Sequence, residues 1–478
     1  MKKYQMWING EFVDAASGKT YTTVNPATEA IIGEIPLGDK ADVNAAVDAA
    51  TKAYPEWSNK PQADRTRIMM EIAGKIRNHT KELIEMDLID HGSPIGMATA
   101  FGSMTPMHFE AAAGLAKTLM SEAELLMSPG LLPYLQRVPV GVVAGIVPWN
   151  IPLMIAAKIA QSLAVGNTCV VKPPSCNSIG AIQIAQAIAE HPELPRGAVN
   201  IITGPGGTLG EALASHPGVR MVAFTGSCET GKRIAELGSS TVKKLFLELG
   251  GKNPFVICED ADVEKTVAGL ADAQFFNTGM LCGAPGRVYV HESQHDMYVE
   301  KFIELAKKCV TGDPNDPKTQ MGPVVSAEHR DKVESYYKIG VDEGAELVYG
   351  GKRPTEAPMD KGYYVTPTVF ANVKQNMRLA REEIFGPVAV FMKYSSEDEL
   401  ISLINDNTFG LACSVWSQDL DKAFRMSKEI EAGMVWINTH NATGGLPWGG
   451  MKESGYGKEN TMHGLKEFTC LKGVCAQL

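Results

Sequence analysis

A cysteine and a glutamate form the residue pair in this sequence best suited to covalent catalysis. Cys282 lies in the segment FFNTGMLCGAPGR, residues 275–287, and Glu248 lies 34 residues earlier (282 − 248), just before Gly250 and Gly251. A thiolate can add to a carbonyl carbon to give a covalent intermediate, and a carboxylate can later deprotonate the water that cleaves it. The pair therefore predicts nucleophilic catalysis at a carbonyl group.

The residues around Cys282 distinguish it from an ordinary cysteine. Most free cysteines are small hydrophobic side chains of protein cores, and Glu248 by itself could be a solvated strand end. Gly279, Gly283 and Gly286, however, permit tight backbone turns around the thiol. A reactive thiol needs a lowered pKa or a neighbouring base, and the segment 275–287 contains no histidine. Glu248 and local backbone N–H groups are therefore candidates for activating the thiol.

Length and composition indicate a globular enzyme of more than one domain. The chain has 478 residues, whereas a single hydrophobic core stops growing at roughly 250 to 300 residues. Two main domains are therefore expected. The hydrophobic fraction of 44% and the charged fraction of 21% are ordinary for a globular enzyme. The net charge of −10 disfavours a nucleic-acid partner, which would call for a basic patch.

The cysteines and the apolar runs bear on the cellular compartment. Nine cysteines are scattered without a CxxC pair, which disfavours a disulfide framework and a zinc site, and no metal is expected. The first ten residues lack the apolar run of a signal peptide. Two prolines, an asparagine and a lysine interrupt the apolar stretch 140–160, and a membrane-spanning helix needs about 20 predominantly apolar residues. A cytoplasmic protein without a membrane segment is expected, since the reduced cytosol preserves free thiols.

Short β-branched runs alternate with helical patterns from residue 140 onward. The predicted strands are 140–147, 168–172, 198–202, 220–224, 244–249, 288–290, 388–392, 412–416 and 434–438, and the predicted helices include 179–189, 297–308 and 400–405. Such alternation is typical of parallel βαβ units, so we expect an open, doubly wound sheet and a second α/β domain. Ligands of such sheets bind at the carboxyl ends of the strands, where Asn150, Lys172, Thr225 and Glu248 are predicted to lie.

Five separated motifs make the sequence resemble the aldehyde dehydrogenase superfamily over nearly the whole chain. In the family's order and spacing they are PWN at 148–150, KPPS at 172–175, FTGS at 224–227, the Glu248 segment with Cys282, and EIFGP at 383–387. The resemblance implies an α/β fold with a doubly wound parallel-sheet cofactor domain, a second α/β catalytic domain and a small β oligomerisation arm. It also implies oxidation of an aldehyde to the carboxylic acid with NAD(P)+.

The resemblance further implies domain limits and assembly. Residues 1–123 and 143–250 would form the NAD(P)-binding domain, and residues 251–460 the catalytic domain. Residues 124–142 and 461–478 would form an arm that adds strands to a neighbouring subunit, as in a homodimer or homotetramer. The expected partners are an aldehyde and further copies of the chain, with no nucleic acid and no membrane.

Three residues receive catalytic roles from the resemblance. Cys282 would attack the aldehyde to give a thiohemiacetal and then a thioester, and Glu248 would activate the water that hydrolyses the thioester. Asn150, which could otherwise be a simple turn residue, would stabilise the oxyanion together with the Cys282 N–H. The positive nicotinamide ring becomes a third candidate for activating the thiol. A carboxylate at 248 disfavours a CoA-acylating enzyme, and the intact trio disfavours a catalytically inactive binding protein; both stand as alternatives.

The cofactor residues also follow from the resemblance. Lys172 would bind the adenosine ribose, Ser227 would bind phosphate at a helix start, and Glu383 would bind the nicotinamide ribose beside Phe385. The full expected set is Val147, Pro148, Trp149, Lys172, Ser175, Phe224, Gly226, Ser227, Thr230, Leu249, Glu383 and Phe385.

The cofactor preference depends on position 175. NAD-specific relatives often carry a glutamate there, which repels a 2′-phosphate, whereas this chain has Ser175. NADP is therefore favoured, and NAD or dual use stays open. Two glycine-rich segments are not taken as binding motifs, because 204–210 is one residue longer than the dinucleotide fingerprint and 226–233 lacks the final Ser or Thr of a P-loop.

The substrate pocket is where the sequence departs from many relatives. Met280 and Leu281 make the nucleophile segment apolar, and small residues occupy the segment 107–115 where relatives often carry aromatics. A roomy apolar pocket for a bulky or aromatic aldehyde is one interpretation, and ordinary core packing is the other. The expected lining is Met107, Ala111, Leu115, Met154, Leu281, Asn441 and Trp448. His440 and Asn441 could alternatively lie on a surface loop.

Overall fold

The computed structural model of the chain describes residues 1–121, 123–126, 129–442 and 445–477. Residues 127, 128 and 478 of the predicted arm, residue 122 of the predicted cofactor domain and residues 443 and 444 of the predicted catalytic domain lie outside the described residues. Within these ranges no helix has both the length and the apolar character needed to cross a membrane.

The strands of the described residues form five separate sheets. They are β1 (Met6–Ile8), β2 (Glu11–Val13), β3 (Thr20–Val24), β4 (Ile31–Pro36), β5 (Ala123–Leu125), β6 (Leu131–Pro139), β7 (Val142–Ile146), β8 (Thr168–Lys172), β9 (Val199–Ile201), β10 (Met221–Thr225), β11 (Lys244–Glu248), β12 (Asn253–Ile257), β13 (Pro285–His291), β14 (Glu346–Tyr349), β15 (Thr368–Ala371), β16 (Val388–Tyr394), β17 (Phe409–Gly410), β18 (Ala412–Trp416), β19 (Met434–Ile437), β20 (Met451–Lys452), β21 (Gly455–Tyr456) and β22 (Thr469–Gln477).

The helices lie between these strands. They are α1 (Lys40–Asn59), α2 (Gln62–Asn78), α3 (Thr80–Met86), α4 (Ile95–Leu119), α5 (Ile155–Ala164), α6 (Ile179–Ala189), α7 (Glu211–Ser215), α8 (Cys228–Ser239), α9 (Val263–Phe275), α10 (His295–Lys308), α11 (Ala327–Asp342), α12 (Arg378–Arg381), α13 (Glu397–Asn405), α14 (Leu420–Glu429) and α15 (Thr461–Glu467). Short π turns at Asp87–His91 and Gly206–Gly210 and short 3-10 turns at Pro152–Met154 and Phe276–Gly279 complete the elements.

The first large sheet has the strand order β2-β1-β9-β8-β7-β10-β11-β21. The five central strands run parallel, whereas β1, β2 and β21 pair antiparallel at the edges. Val143 and Val171 pack into one hydrophobic cluster and Ala144 and Val170 into another, so both faces of the sheet are covered. The chain order reverses between β7 and β10, and a ligand crevice opens at such a switch point.

The second large sheet has the order β14-β15-β16-β13-β12-β18-β19. Its strands are parallel except for the pair β14 and β15. The predicted strands and helices of both halves are present, and β8, β18 and α6 have the predicted limits. The predicted α/β class with parallel sheets is confirmed.

A smaller sheet joins the two segments predicted to form the arm. Its order is β22-β6-β5, all antiparallel, and β6 pairs with β22 along nine residues from Leu131 opposite Gln477 to Pro139 opposite Thr469. An assembly role for this sheet stays a prediction. The domain limits stay a prediction as well, and one strand crosses them, since β21 pairs with β11 although it lies in the range 251–460.

Candidate active site

The loop before Cys282 has an unusual backbone. Asn277, Thr278 and Gly279 follow α9 with φ values of 50°, 54° and 72°, a conformation that costs energy for the two residues with side chains. The Asn277 amide offsets this cost by donating to the carbonyls of Asn150 (2.7 Å) and Met280 (3.2 Å). A side chain at position 279 would collide with the backbone of Gly386. The loop that leads to Cys282 is thus packed between residues of the two large sheets.

The loop after Cys282 is held by an asparagine of β12. Asn253 donates through Nδ2 to the carbonyls of Cys282 (2.7 Å) and Ala284 (2.9 Å), and its Oδ1 accepts from Ala412 N (3.1 Å). All the hydrogen-bonding groups of a neutral amide face the loop and β18, so the side chain is firmly oriented.

The Glu248 carboxyl lies at the carboxyl end of β11. Glu248 is 2% exposed, and its Oε1 accepts a hydrogen bond of 3.0 Å from Trp448 Nε1. Burial, together with the nearby Glu459 carboxylate, raises the pKa of Glu248 to about 7. Glu459 itself forms a buried ion pair of 2.6 Å with Lys158. The pKa of Glu248 is therefore near neutral pH, where a general base can both accept and release protons.

The Cys282 thiol is half-buried and near two carboxylates. Burial raises the pKa of Cys282 well above its ordinary value, Glu248 and Glu383 raise it further, and the adjacent Gly283 N–H lowers it. The resting thiol is consequently protonated. Two of the activating groups expected from the sequence are near the thiol. The Gly283 N–H favours the thiolate, and Glu248 is close enough to accept the proton of Cys282.

The Asn150 side chain connects the first sheet to the nucleophile loop. Asn150 follows β7, is buried, and donates through Nδ2 to the carbonyl of Met280 at 3.0 Å. This bond uses one of the two amide hydrogens. The other remains for a ligand atom beside Cys282, which is what an oxyanion donor requires.

The amino end of α8 offers an anion site next to Glu248. Ser227 caps α8 by accepting from Thr230 N at 3.3 Å, and Gly226 N donates to the carbonyl of Glu248 at 3.0 Å. The Thr225 hydroxyl is buried and has no hydrogen-bond partner. An orphaned hydroxyl and the free amides of a helix start suit the phosphates of a dinucleotide.

The carboxyl end of β8 supplies two polar side chains. Ser175 Oγ donates to the carbonyl of Gly204 at 3.1 Å, which brings the glycine-rich turn beside position 175. Lys172 Nζ donates to the carbonyl of Pro173 at 2.8 Å, and burial lowers the pKa of this lysine to about 8. A Cβ added at Gly206 or Gly207 would have no other atom within 4 Å, so a ligand has room to approach this turn.

The Glu383 segment approaches from the second sheet. Glu383 Oε1 accepts from Gly251 N at 2.8 Å. Phe385 has a φ of 63°, its ring lies edge-on to Trp149 at 5.3 Å between centroids, and its carbonyl accepts from His329 Nε2 at 2.7 Å. The donor set and the aromatic rings fit a nicotinamide dinucleotide placed between the two sheets.

The other expected cofactor residues lie at strand ends around this crevice. Val147 N donates to the carbonyl of Lys172 at 3.2 Å, and Leu249 N donates to the carbonyl of Ser454 at 3.0 Å. Phe224 and Leu249 are buried in the same hydrophobic cluster. Pro148 follows Val147 directly after β7, so the expected set surrounds the switch point of the first sheet.

The expected pocket residues come from three parts of the chain. Asn441 Oδ1 and the Trp448 ring lie 3.4 and 3.1 Å from the position of a Cβ added at Gly283, which places both beside the nucleophile. Met107 and Ala111 are exposed on α4, and Leu115, Met154 and Leu281 are half-buried. Phe276 adds an aromatic ring 41% exposed beside Phe101 of α4. Both interpretations of the apolar lining stay open.

Several residues of the site carry no local signal in the sequence. They are Asn253, Asn277, His329, Lys158 and Glu459, and each acts through a partner distant in the chain or through an unusual backbone. Phe276 lies within the segment 275–287 but is not in the expected pocket lining. His440, expected on the tunnel wall or on a surface loop, contacts the nucleophile loop at the Gly283 carbonyl.

Comparisons with known proteins agree over the whole chain. The family model described as "Aldehyde dehydrogenase family" matches residues 12–474. The betaine aldehyde dehydrogenase of Bacillus subtilis (strain 168) is 38% identical over 473 residues, covering 98% of this chain and 96% of that protein. The phenylacetaldehyde dehydrogenase of Pseudomonas fluorescens is 39% identical over 485 residues, covering 98% and 95%. The solved structure of Staphylococcus aureus betaine aldehyde dehydrogenase in complex with NAD+ matches with a TM-score of 0.96 at 36% identity, covering 99% of this chain and 95% of that one.

Proposed function

The chain belongs to the aldehyde dehydrogenase family, and from this premise we propose that Cys282, Glu248 and Asn150 oxidise a bulky or aromatic aldehyde to its carboxylic acid. Oxidation of an aldehyde with a nicotinamide dinucleotide is the activity of the family. The single observation that supports the residue assignment is that Trp448 joins the two groups: its Nε1 donates to Glu248 at 3.0 Å, and its ring packs with Cys282 on the same hydrophobic cluster.

The proposed reaction uses these three side chains in sequence. Cys282 Sγ adds to the aldehyde carbon while its proton passes to Glu248, and the oxyanion accepts a hydrogen bond from Asn150 Nδ2. The bound nicotinamide supplies the hydride acceptor. Glu248, ionised again, takes a proton from water as the hydroxyl adds to the thioester carbon. The carbon–sulfur bond then breaks, and the acid leaves as Cys282 recovers its proton.

The cofactor residues would hold the dinucleotide at both ends. Ser227 and the amides at the start of α8 would bind phosphate, and Lys172 would bind the adenosine ribose. Glu383 would bind the second ribose, oriented by Gly251 N. We propose NADP as the preferred cofactor because Ser175 brings no negative charge to this end of the site, and a carboxylate there would repel a 2′-phosphate.

Replacing Ser175 with glutamate tests the cofactor preference. We expect the KM for NADP to rise about tenfold or more in Ser175→Glu, because like charges at close range cost over a kcal/mol even in partly solvated sites. The KM for NAD should change little. Ser175→Gln, of equal size without the charge, is the control and should keep NADP use. If wild type saturates with NAD far more readily than with NADP, the proposed preference is wrong.

The bulky-aldehyde proposal rests on the apolar and small residues around the tunnel. Met107 and Ala111 on α4 leave open surface, and Leu281 and Phe276 add apolar area near the nucleophile. The relatives include both a phenylacetaldehyde and a betaine aldehyde dehydrogenase, at nearly equal identity. The residues of the expected lining are all uncharged, which supports a neutral, bulky substrate.

A panel of aldehydes tests the proposed function directly. Purified protein is mixed with NADP or NAD and with short aliphatic, branched and aromatic aldehydes, and reduced nicotinamide is followed by absorbance. We expect the highest kcat/KM with aromatic or branched aldehydes and a free acid as product. A strict preference for short polar aldehydes would exclude the bulky pocket. Turnover that requires coenzyme A would favour the acylating alternative, and no turnover with an inert Cys282 would favour the binding protein.

We also propose that the β22-β6-β5 sheet assembles copies of this chain into a homodimer or homotetramer. The sheet and its adjoining loops expose apolar side chains that a second copy would cover: Leu125, Leu126, Leu131, Leu132 and Leu471. We also propose a cytoplasmic location. The nine cysteines are all unpaired thiols, and the reduced cytosol preserves free thiols.

A further inference from the structure

The turn after β19 returns the chain to the nucleophile loop. Asn438 and Asn441 both have left-handed backbones, with φ values of 55° and 57°, and His440 lies between them. Asn438 secures the turn through bonds with Ser417 N (2.9 Å) and the Ser417 carbonyl (2.8 Å). His440 is thereby directed toward the loop that carries Cys282.

The His440 ring is fully engaged on both nitrogens. Nε2 lies 2.9 Å from the carbonyl of Gly283, and Nδ1 lies 3.1 Å from Ser414 Oγ. A carbonyl can only accept, so Nε2 carries the hydrogen, and the free lone pair of Nδ1 accepts from the Ser414 hydroxyl. The ring also packs against Trp436 and Phe255, with centroids at 4.6 and 5.8 Å. Burial lowers the pKa of His440 to about 4, in keeping with this neutral form.

His440 and Asn253 together hold three consecutive carbonyls. Asn253 binds those of Cys282 and Ala284, and His440 binds that of Gly283. Peptide groups are planar, so holding a carbonyl also fixes the N–H on the same plane. The Cys282 carbonyl, held by Asn253, shares its plane with the Gly283 N–H, which lowers the thiol pKa. The Gly283 carbonyl, held by His440, shares its plane with the Ala284 N–H, which donates to the Leu281 carbonyl at 3.2 Å and closes the turn that contains Cys282.

Gly283 also lies beside two residues of the expected substrate lining. A Cβ added at Gly283 would lie 3.1 Å from the Trp448 ring and 3.4 Å from Asn441 Oδ1, and the Gly283 carbonyl binds His440. One short turn therefore contacts Gly283 twice, through His440 and through Asn441. Movement of His440 would disturb the thiol and the tunnel wall together.

We propose that His440 is a positioning residue of this active site. Its Nε2–H holds the Gly283 carbonyl and thereby the plane of the Gly283–Ala284 peptide, so that the Ala284 N–H stays directed at the Leu281 carbonyl and closes the turn around Cys282. The same bond fixes the turn that bears Asn441 against the nucleophile loop. The inference rests on the proposed function of Cys282 as nucleophile. His440 itself does not contact the reacting atoms.

Two substitutions separate the hydrogen bond from the packing of the ring. His440→Phe keeps an aromatic ring against Trp436 and Phe255 but has no donor. His440→Gln loses the ring, and its Nε2–H can reach the Gly283 carbonyl. His291→Phe is the matched control, because His291 also binds a backbone carbonyl through Nε2 (Ser395 O, 3.3 Å), a serine hydroxyl through Nδ1 (Ser293, 2.8 Å) and an aromatic ring (Tyr394), away from the site.

The measurement is the rate of Cys282 alkylation by iodoacetamide in cofactor-free enzyme, followed by mass spectrometry of the Cys282 peptide. We expect a fall of about tenfold in His440→Phe, as for the loss of a buried hydrogen bond. The kcat should fall in parallel while the cofactor Kd changes less than about twofold. His440→Gln should recover most of the rate, and His291→Phe should match wild type.

Two results would overturn the proposal. One is alkylation of His440→Phe at the wild-type rate. The other is an equal loss in His440→Gln and His440→Phe, which would mean that the shape of the ring matters and the bond does not. If His440→Phe does not fold, His440→Met against His440→Gln gives the same comparison of no donor against donor. Alkylation needs no turnover, so wild-type enzyme inactive on every aldehyde would count against the proposed function and leave this result interpretable.

Discussion

Replacing Cys282 with alanine will lower kcat/KM for aldehyde oxidation by about 10⁴-fold or more, as expected when a covalent nucleophile is removed. Without the sulfur no thioester can form, and the oxyanion donors alone cannot deliver an acyl group to water. The side chain removed is half-buried in a loop held by Asn253 and Asn277, so the fold should persist. Reduced nicotinamide formed at saturating cofactor measures the loss.

Cys309→Ala is the matched control for this prediction. Cys309 is also half-buried, ends α10 and lies outside the proposed site, so its replacement should leave kcat within about twofold of wild type, as for most changes remote from a site. Cofactor Kd should stay the same in both variants. If Cys282→Ala kept more than a few per cent of wild-type turnover, another nucleophile or a different mechanism would have to operate.

The second large effect is expected from Glu248→Gln, in which the hydrolytic half-reaction should slow by about 10²- to 10⁴-fold, the usual contribution of a general base. The glutamine Oε1 can still accept from Trp448 Nε1, so the geometry is retained. Reduced nicotinamide should appear as a burst approaching one per active site, followed by very slow turnover, because the thioester persists. The burst itself should be slower, since Glu248 also accepts the thiol proton.

The pH profile provides a second readout of the same prediction. Only the ionised carboxylate can accept a proton from water, and burial with the Glu459 carboxylate raises the pKa of Glu248 to about 7. The rate of hydrolysis by the wild type should therefore rise with pH and reach half its maximum near pH 7. This rise near pH 7 should be absent from Glu248→Gln. Intact-protein mass spectrometry would detect the acyl adduct.

The exposed Glu429→Gln on α14 serves as the control and should keep both the rate and the profile of wild type. A Glu248→Gln variant without a burst and without an acyl adduct, but with normal cofactor binding, would show that Glu248 acts mainly on the thiol. An unchanged steady-state rate would remove Glu248 from the mechanism altogether.

Much of the fold could be predicted because its signals are local. The limits of β8, β18 and α6 follow from runs of β-branched residues and from a helical spacing of isoleucines, and both patterns are complete within a few residues. Strands buried on both faces read as continuous apolar runs, which is why the parallel class was evident. The short strand β21 was missed, since two residues carry no period of their own.

The site could be predicted only as far as its motifs extend. Cys282, Glu248 and Asn150 were singled out from their flanking glycines, strand ends and motif positions, and the structure gathers them at the crevice between the two large sheets. The sequence allowed His440 to be a tunnel residue but not its bond to Gly283, because the two residues are 157 positions apart. The lining residues of α4 stay a prediction. The spacing of apolar residues along a long helix does not show which of its faces contacts a substrate.

The sequence by itself determined the α/β class and the alternation of strands and helices, and it indicated Cys282 and Glu248 as the candidate nucleophile and base, because these are properties of short segments. Only the tertiary structure decided the chemical state of those groups. The pKa of Glu248 depends on burial and on Glu459, and the loop that carries Cys282 is bound by Asn253, 29 residues away, and by His440. Burial and hydrogen-bond partnership arise when distant segments pack, so no local pattern of residues contains them.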